Sequence, residues 1–229
     1  LRMSGTTSDV ERFPEYVRDI RAIASPEGAT IRFTSGGTYD VHATPAATTA
    51  PEVWLLGSSD YSAQLAASLG LPYVFANHFA GAGLERALQL YRSEFQATDE
   101  HPAPRTFLTA NVIAAPTADE AEERAIPQLR MMARLRQNRP LTPLETVEQS
   151  RAAASEFDVT GEQIMAAARA TWFVGTAETV TRELAAFAAQ WEVDEVMISP
   201  IAGAYDGEPM DAATGRTQLS MISQLVGAV

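Results

Sequence analysis

The chain has 229 residues, 46% of them hydrophobic, and a formal net charge of −12. That length carries one large α/β domain or two small ones, and the acidic balance argues against nucleic acid or an anionic membrane as partner. Cysteine and lysine are absent and all 17 basic residues are arginine, which excludes disulfides, thiolate metal sites, cysteine nucleophiles, Walker-type phosphate loops and lysine chemistry.

In chain order, the first predicted element is a helix over Phe13–Ala24, with Phe13, Val17, Ile20 and Ala24 on one face. Residues 25–51, rich in Gly, Pro, Thr and Ala, read as an irregular excursion. Four near-continuous apolar runs follow, at Val53–Leu56, Tyr73–Ala76, Phe107–Ala114 and Glu195–Ser199. Runs of that kind suit parallel strands covered on both faces. Between them lie the helix Asp60–Leu69 and two helices with a 3.6-residue stripe: Leu84, Leu88, Tyr91 and Phe95; then Val180, Leu184, Phe187 and Trp191 behind an N-cap at Thr176. Residues 116–175 are helical, acidic and arginine-rich, with Pro127, Pro140 and Pro143 as breaks, and read as a helical insertion. Leu219, Ile222 and Val226 form a last stripe. Strand and helix alternate, so the class is α/β. No run of about 18 apolar residues and no basic-then-apolar leader stands in the sequence, which by default assigns the chain to the cytoplasm.

The stretch "PEVWLLGSSDYSAQLAASLGLPYVFANHF", residues 51–79, concentrates the polar punctuation. Ser59 is placed as N-cap of the helix Asp60–Leu69 and Gly70 as its left-handed stop. Gly57 and Ser58 form the turn between strand and helix, where backbone N–H groups point outward. Those amides, with the hydroxyls of Ser59 and Ser62, make a candidate anion site at the carboxyl end of a strand. Capping alone also accounts for Ser59. Other chemistries find no motif. His42, His78 and His101 lack ligand spacing, no G-x-S-x-G elbow occurs, and Gly81-Ala82-Gly83 continues without a third glycine. Asp119, Glu120, Glu122 and Glu123 read as a solvated first helical turn, and Arg130, Arg134 and Arg136 as a solvated face. Arg216 reads as a surface residue, with a phosphate as its other candidate partner.

"VWLLGSSDYSAQLAASLGLPYVFANHF", with "FVGTAETV" and "VDEVMISP" downstream, resembles the bacterial luciferase-like family of flavin-dependent monooxygenases. The resemblance runs in order from about Phe13 to the C-terminus. It implies a (β/α)8 TIM barrel, of which residues 1–229 form one domain resembling strands five to eight, with an insertion at about 116–175. The first four strands are then expected to lie before Leu1 or on another chain.

The same resemblance places Gly57, Ser58, Ser59 and Ser62 at the flavin phosphate, and Leu55 and Leu56 along the ribityl chain or ring edge. Tyr73, Ala76 and Asn77 would face the isoalloxazine. Strand alternation would turn His78 away from it. The implied cofactor is FMN, reduced by a separate flavin reductase, with F420 as the alternative. The implied activity is oxygenation of a small organic substrate by O2, in a homo-oligomer, expected to be a dimer. A non-catalytic flavin-binding or partner subunit is the reading from another class.

Overall fold

The computed structural model describes residues 9–80, 83–153, 156–193 and 195–208, with the isolated positions 220 and 223. The stripe at Leu219, Ile222 and Val226, and Arg216, lie outside the described residues. The chain opens with α1 (Asp9–Ile23) and an antiparallel hairpin of β1 (Ala29–Arg32) and β2 (Thr38–Val41). The hairpin falls where an irregular excursion was expected. Its strands are short and almost fully exposed, so they lack the apolar runs by which the buried strands stand out. The stripe expected on α1 is only partly covered. Val17 is buried, whereas Phe13 and Ile20 are exposed.

The remaining strands form one parallel sheet of five: β3 (Leu55–Gly57), β4 (Tyr73–Phe75), β5 (Thr106–Ala114), β6 (Phe173–Gly175) and β7 (Val196–Pro200). The architecture is α/β of the (β/α)8-barrel type, with β3, β4, β5 and β7 standing where strands five to eight were expected. β6 is an addition. Three residues between helical segments are too short to register as an apolar run.

β5 organises the sheet. Its first third pairs with β4, its middle with β7 and its end with β6. Main-chain groups of alternate strand residues point to opposite edges. Arg105 O accepts from Tyr73 N and Ala115 N donates to Gly175 O, both odd positions on one edge, whereas Leu108 N and Val112 O face the β7 side through Glu195 and Ile201. β4 and β6 therefore sit end to end along one edge of β5, and β7 takes the other.

Register divides the side chains into two faces. Leu55 pairs with Tyr73 in one register line and Phe75 with Leu108 in the next; all four share one face and form the core behind the sheet with α2 (Asp60–Leu69), α4 (Leu84–Glu94) and α8 (Ala177–Gln190). Leu65, Ala66, Leu84, Leu88 and Tyr91 supply the helical side of that core, with Phe187 and Trp191 packed against it. At its centre the Tyr73 and Tyr91 rings are 5.3 Å apart. The Tyr91 hydroxyl sits within 3.0 Å of the carbonyls of Leu71 and Arg105 and 3.1 Å from the Arg105 amide. α2 starts and stops as its caps dictate. Ser59 and Ser62 form a reciprocal capping box, and Gly70 ends the helix at φ 61, where a Cβ would also lie 2.5 Å from Gln96 O.

The insertion contains α5 (Ala118–Arg136), α6 (Val147–Ala152) and α7 (Val159–Arg169). α5 runs through Pro127, which was expected to break it. Pro127 is buried. The Arg124 carbonyl one turn before it accepts from Gly203 N at 2.7 Å, so the segment after β7 supplies a main-chain donor at the proline turn. Arg130 and Arg134 are not on a solvated face: both are buried. Arg130 Nε reaches Glu145 at 2.8 Å and its Nη2 reaches Glu156 at 2.5 Å, and Arg134 pairs with the same two carboxylates. The carboxylates at the start of α5 are also engaged. Glu120 pairs with Arg124, Glu122 with Arg169 and Glu123 with Arg151. These partners come mostly from α6, α7 and their flanks, which periodicity along α5 alone does not reveal. Among the described residues no helix is long and apolar enough to cross a membrane.

Candidate functional site

α2, α4 and α8 bury one face of the sheet, and α5 covers the other face only at the end of β5, where Ile113 and Ala115 pack with Ala121 and Ala125. The other face carries Leu56, Val74 and Phe107 in one register line, and Thr109 and Asn111 opposite Met197 and Ser199 in the next. Leu56 is 54% exposed and Met197 42% exposed. Trp54 stacks beside Phe107 with ring centroids 4.9 Å apart, and Arg105 lies over the Trp54 ring. This apolar face ends, at the carboxyl ends of β3 and β4, in two turns rich in polar groups.

The first is the turn from β3 into α2. Gly57 leads into Ser58 and Ser59, both exposed. Ser59 Oγ accepts from Ser62 N at 3.4 Å, and Ser62 Oγ accepts from Ser59 N at 3.3 Å and donates to Ser59 O at 2.7 Å. The Ser59 hydroxyl is 3.5 Å from Ser62 Oγ. The capping expected of Ser59 is present, and Ser62 completes it. Asp60, in the first helical turn, would repel an anion, but Arg86 Nε donates to its carboxylate at 2.7 Å. The turn thus presents outward amides and hydroxyls at the positive end of a ten-residue helix, with its local negative charge countered. That donor set suits a phosphate monoester.

Tyr73 was expected to face a flavin ring, and Leu55 to line it; both instead lie behind the sheet. They share the register line of the helix-facing core, so alternation removes them from the open face. Tyr73 supports the turn from beneath. Its hydroxyl is 3.1 Å from Ser62 Oγ and 3.2 Å from Gly57 O, and burial raises its pKa above the ordinary phenol value. Gly57 has no room for a larger residue, since a Cβ there would lie 2.4 Å from both Cβ and Oγ of Ser62.

The second turn follows β4. Ala76 is 4% exposed and Asn77 8% exposed. A short helix, α3 (Asn77–Ala80), starts immediately, so strand alternation stops at Phe75 and does not decide where Asn77 and His78 point. Both reach Thr109 on β5. Asn77 Nδ2 donates to Thr109 O at 3.4 Å, and His78 Nδ1 is 2.7 Å from Thr109 Oγ1. Asn111 Nδ2 donates to His78 O at 3.0 Å. Burial lowers the His78 pKa. Thr109 and Asn111 escape a reading of the sequence because they sit inside an otherwise apolar strand. Their signal is that very interruption: polar residues two apart within "FLTANVIA" mark one face of the strand as different. Among the described residues no cluster of three or more His, Asp or Glu side chains could hold a metal ion.

A family model described as luciferase-like monooxygenase matches residues 6–195. The uncharacterized protein YvbT of Bacillus subtilis is 31% identical over 194 residues, which is 82% of this chain and 53% of that protein. The chain spans about half the length of the curated relatives it matches. Among solved structures, apo-MsnO8 superposes with a TM-score of 0.68 at 22% identity, over 97% of this chain and 62% of the other. Two more distant structures share the fold with their cofactors bound. The oxygenating constituent of 3,6-diketocamphane monooxygenase from Pseudomonas putida, in complex with FMN, has a TM-score of 0.53 at 14% identity, over 90% of this chain and 59% of that one. An F420-dependent secondary alcohol dehydrogenase, in complex with an F420-acetone adduct, has a TM-score of 0.54 at 14% identity, over 99% of this chain and 64% of that one.

Proposed function

The chain belongs to the luciferase-like monooxygenase family, and from that membership we propose that it binds FMN and serves a flavin-dependent monooxygenation of a small organic substrate. The observation that carries the reading is the turn from β3 into α2. It sets exposed hydroxyls and helix-start amides at the carboxyl end of a parallel strand, beside an apolar face that suits a flat ring system. In this reading Gly57, Ser58, Ser59 and Ser62 hold the phosphate, Leu56 lies along the cofactor, and Ala76 and Asn77 border the ring.

Reduced FMN, supplied by a separate reductase, would provide the two electrons with which O2 is divided between product and water. The chain's own residues bind, orient and exclude water. Ser59 and Ser62 donate to the phosphate oxygens, Ser62 in exchange for its bond to Ser59 O, while Tyr73 supports Ser62 and the Gly57 carbonyl from behind the sheet. Leu56, Phe107 and Met197 supply an apolar bed. Asn77 is tied to Thr109 O, so its part is to border the site and anchor α3. F420 is the second reading, favoured by the F420-dependent neighbour on the same fold.

Paired titrations test the proposal. A hydroxyl bond to a charged group is worth about 1.5–3 kcal/mol, so losing one of the two in Ser59→Ala with Ser62→Ala is expected to weaken reduced FMN by roughly tenfold, and losing both by roughly a hundredfold or more. Riboflavin, which lacks the phosphate, is expected to lose little. Equal losses for both ligands would remove the serines from the phosphate site. Tighter binding of F420 than of FMN would move the assignment to the deazaflavin.

A further inference from the structure

A pair of polar side chains on β5 and β7 deepens the flavin reading and rests on it. Asn111 and Ser199 are register partners. Both lie on the open face, since Ala110, Val112 and Ile198 turn into the core behind the sheet. Their surroundings on that face are mostly apolar. Met197 precedes Ser199, and beyond the pair Ile113 and Ile201 pack beneath α5 with Ala121 and Ala125. The polar neighbour, Thr109, is already engaged: its hydroxyl donates to Phe75 O at 3.3 Å and accepts from His78 N at 3.2 Å.

Asn111 uses only one end of its amide. Nδ2 donates to His78 O at 3.0 Å, which fixes that end as the nitrogen and leaves Oδ1 as an acceptor. Among the described residues nothing donates to Oδ1, and the Ser199 hydroxyl has no hydrogen-bond partner. Asn111 is 6% exposed and Ser199 half-buried, and polar atoms on side chains so covered ordinarily find partners. The pair therefore offers the open face an acceptor next to a hydroxyl that donates or accepts. An edge with an N–H beside a C=O answers that pattern; a carboxylate or phosphate, which brings no proton for Oδ1, does not. β5 stands two strand spacings, about 10 Å, across the sheet from β3. A ligand held by its phosphate at the β3 turn and laid over Leu56 and Phe107 brings its far end to this pair.

We propose that Asn111 and Ser199 read the imide edge of the flavin ring. Asn111 Oδ1 accepts from the ring N3–H, and Ser199 Oγ donates to the carbonyl beside it. One amide then joins the cofactor to α3, because its other end holds the His78 carbonyl.

The test is a set of anaerobic titrations with reduced FMN and with reduced N3-methyl-FMN, which lacks the ring N–H. The wild-type chain is expected to bind the methylated ligand about tenfold more weakly. Asn111→Ala removes the acceptor and opens space for the methyl group, so it is expected to bind the two ligands within about twofold of each other. Ser199→Ala removes a hydroxyl that has no bond inside the protein. It is expected to leave the urea midpoint unchanged and to weaken FMN about threefold to tenfold. Should Asn111→Ala fail to fold, the wild type and Ser199→Ala still decide. Equal binding of both ligands by the wild type would overturn the proposal. So would a methyl penalty that persists in full in Asn111→Ala, or an FMN affinity unchanged in Ser199→Ala. Failure of the wild type to bind reduced FMN at all would instead overturn the functional reading, and this inference with it.

Discussion

Gly57→Ala is the sharpest probe of the turn that carries the site. The φ of Gly57 is not positive, so alanine meets no backbone strain there, and the whole effect comes from space. The new Cβ would lie 2.4 Å from Cβ and Oγ of Ser62, against ordinary contact from 3.4 Å upward, so the two must part by about 1 Å. Ser62 Cβ is fixed to the helix backbone and no rotamer moves it, so the first turn of α2 shifts as a unit. Overpacking of this kind costs about 1–3 kcal/mol, and the bond from Ser62 Oγ to Tyr73 adds about 1 kcal/mol. Restricting the unfolded chain returns about 0.4–1 kcal/mol. The net expectation is a loss of about 2 kcal/mol. Ser62→Gly removes both clashing atoms and itself costs about 2 kcal/mol, through lost hydrogen bonds and helix propensity. Together the two changes are expected to cost little more than Ser62→Gly alone, a coupling of about 2 kcal/mol. Urea unfolding at constant m measures the four proteins of the cycle. Costs that add to within about 0.5 kcal/mol would show that Ser62 does not limit the space at Gly57, and the account of a turn held from beneath would fall.

Two further outcomes follow from the interior. Tyr91→Phe is expected to cost about 1–3 kcal/mol by leaving the Arg105 amide and the buried Leu71 carbonyl without their Tyr91 partner; a urea-melt loss below 0.5 kcal/mol would refute it. The insertion is expected to lose stability in acid. The Arg134 bond holds Glu156 below the ordinary carboxylate range; for Glu145 burial pushes upward, and the bonds from Arg134, Arg130 and Ser150 outweigh it. Folded values below the unfolded ones stabilise the chain above about pH 4.3, and that part is lost as pH falls through the folded values. Arg134→Met is expected to lower stability at pH 7 and to flatten its fall between pH 5 and pH 3, and an unchanged slope would exclude these carboxylates as its source.

The buried strands were legible because β3, β4, β5 and β7 are runs of apolar residues, and α2 because its caps are written in Ser59 and Gly70. What escaped has physical reasons. β6 borrows its stability from the end of β5 and needs only three residues. The hairpin of β1 and β2 is exposed and has no apolar stripe. Arg130 and Arg134 occupy positions that look solvated along one helix, and only the return of Glu145 and Glu156 from later in the chain buries them. At the site, the glycine and serines of the first turn were readable as a local device. The alternation argument failed for His78 and Asn77 because a helix starts where the strand was expected to continue. Thr109 could not be linked to them, since more than thirty residues separate positions that meet above β5.

The placement of β6 has a consequence for how this fold diversifies. The chain leaves the sheet at the end of β5 and comes back in β6, paired with that same end. β6 runs parallel to β5 and starts opposite Val112, so the exit at Ala114 and the re-entry at Phe173 are about 8 Å apart, one strand spacing across and two residues along. A segment grafted through such closely set ends imposes no stretch on the wall that carries it, whatever its length, because closure entropy grows only slowly with loop size. The segment between Ala115 and Trp172 can thus vary in length, provided that its first helix keeps the apolar contact that Ala121 and Ala125 make with Ile113 and Trp172. One lineage could exchange it for a shorter or longer one, reshaping the mouth above the sheet, while the β3 turn and its serines stay as they are.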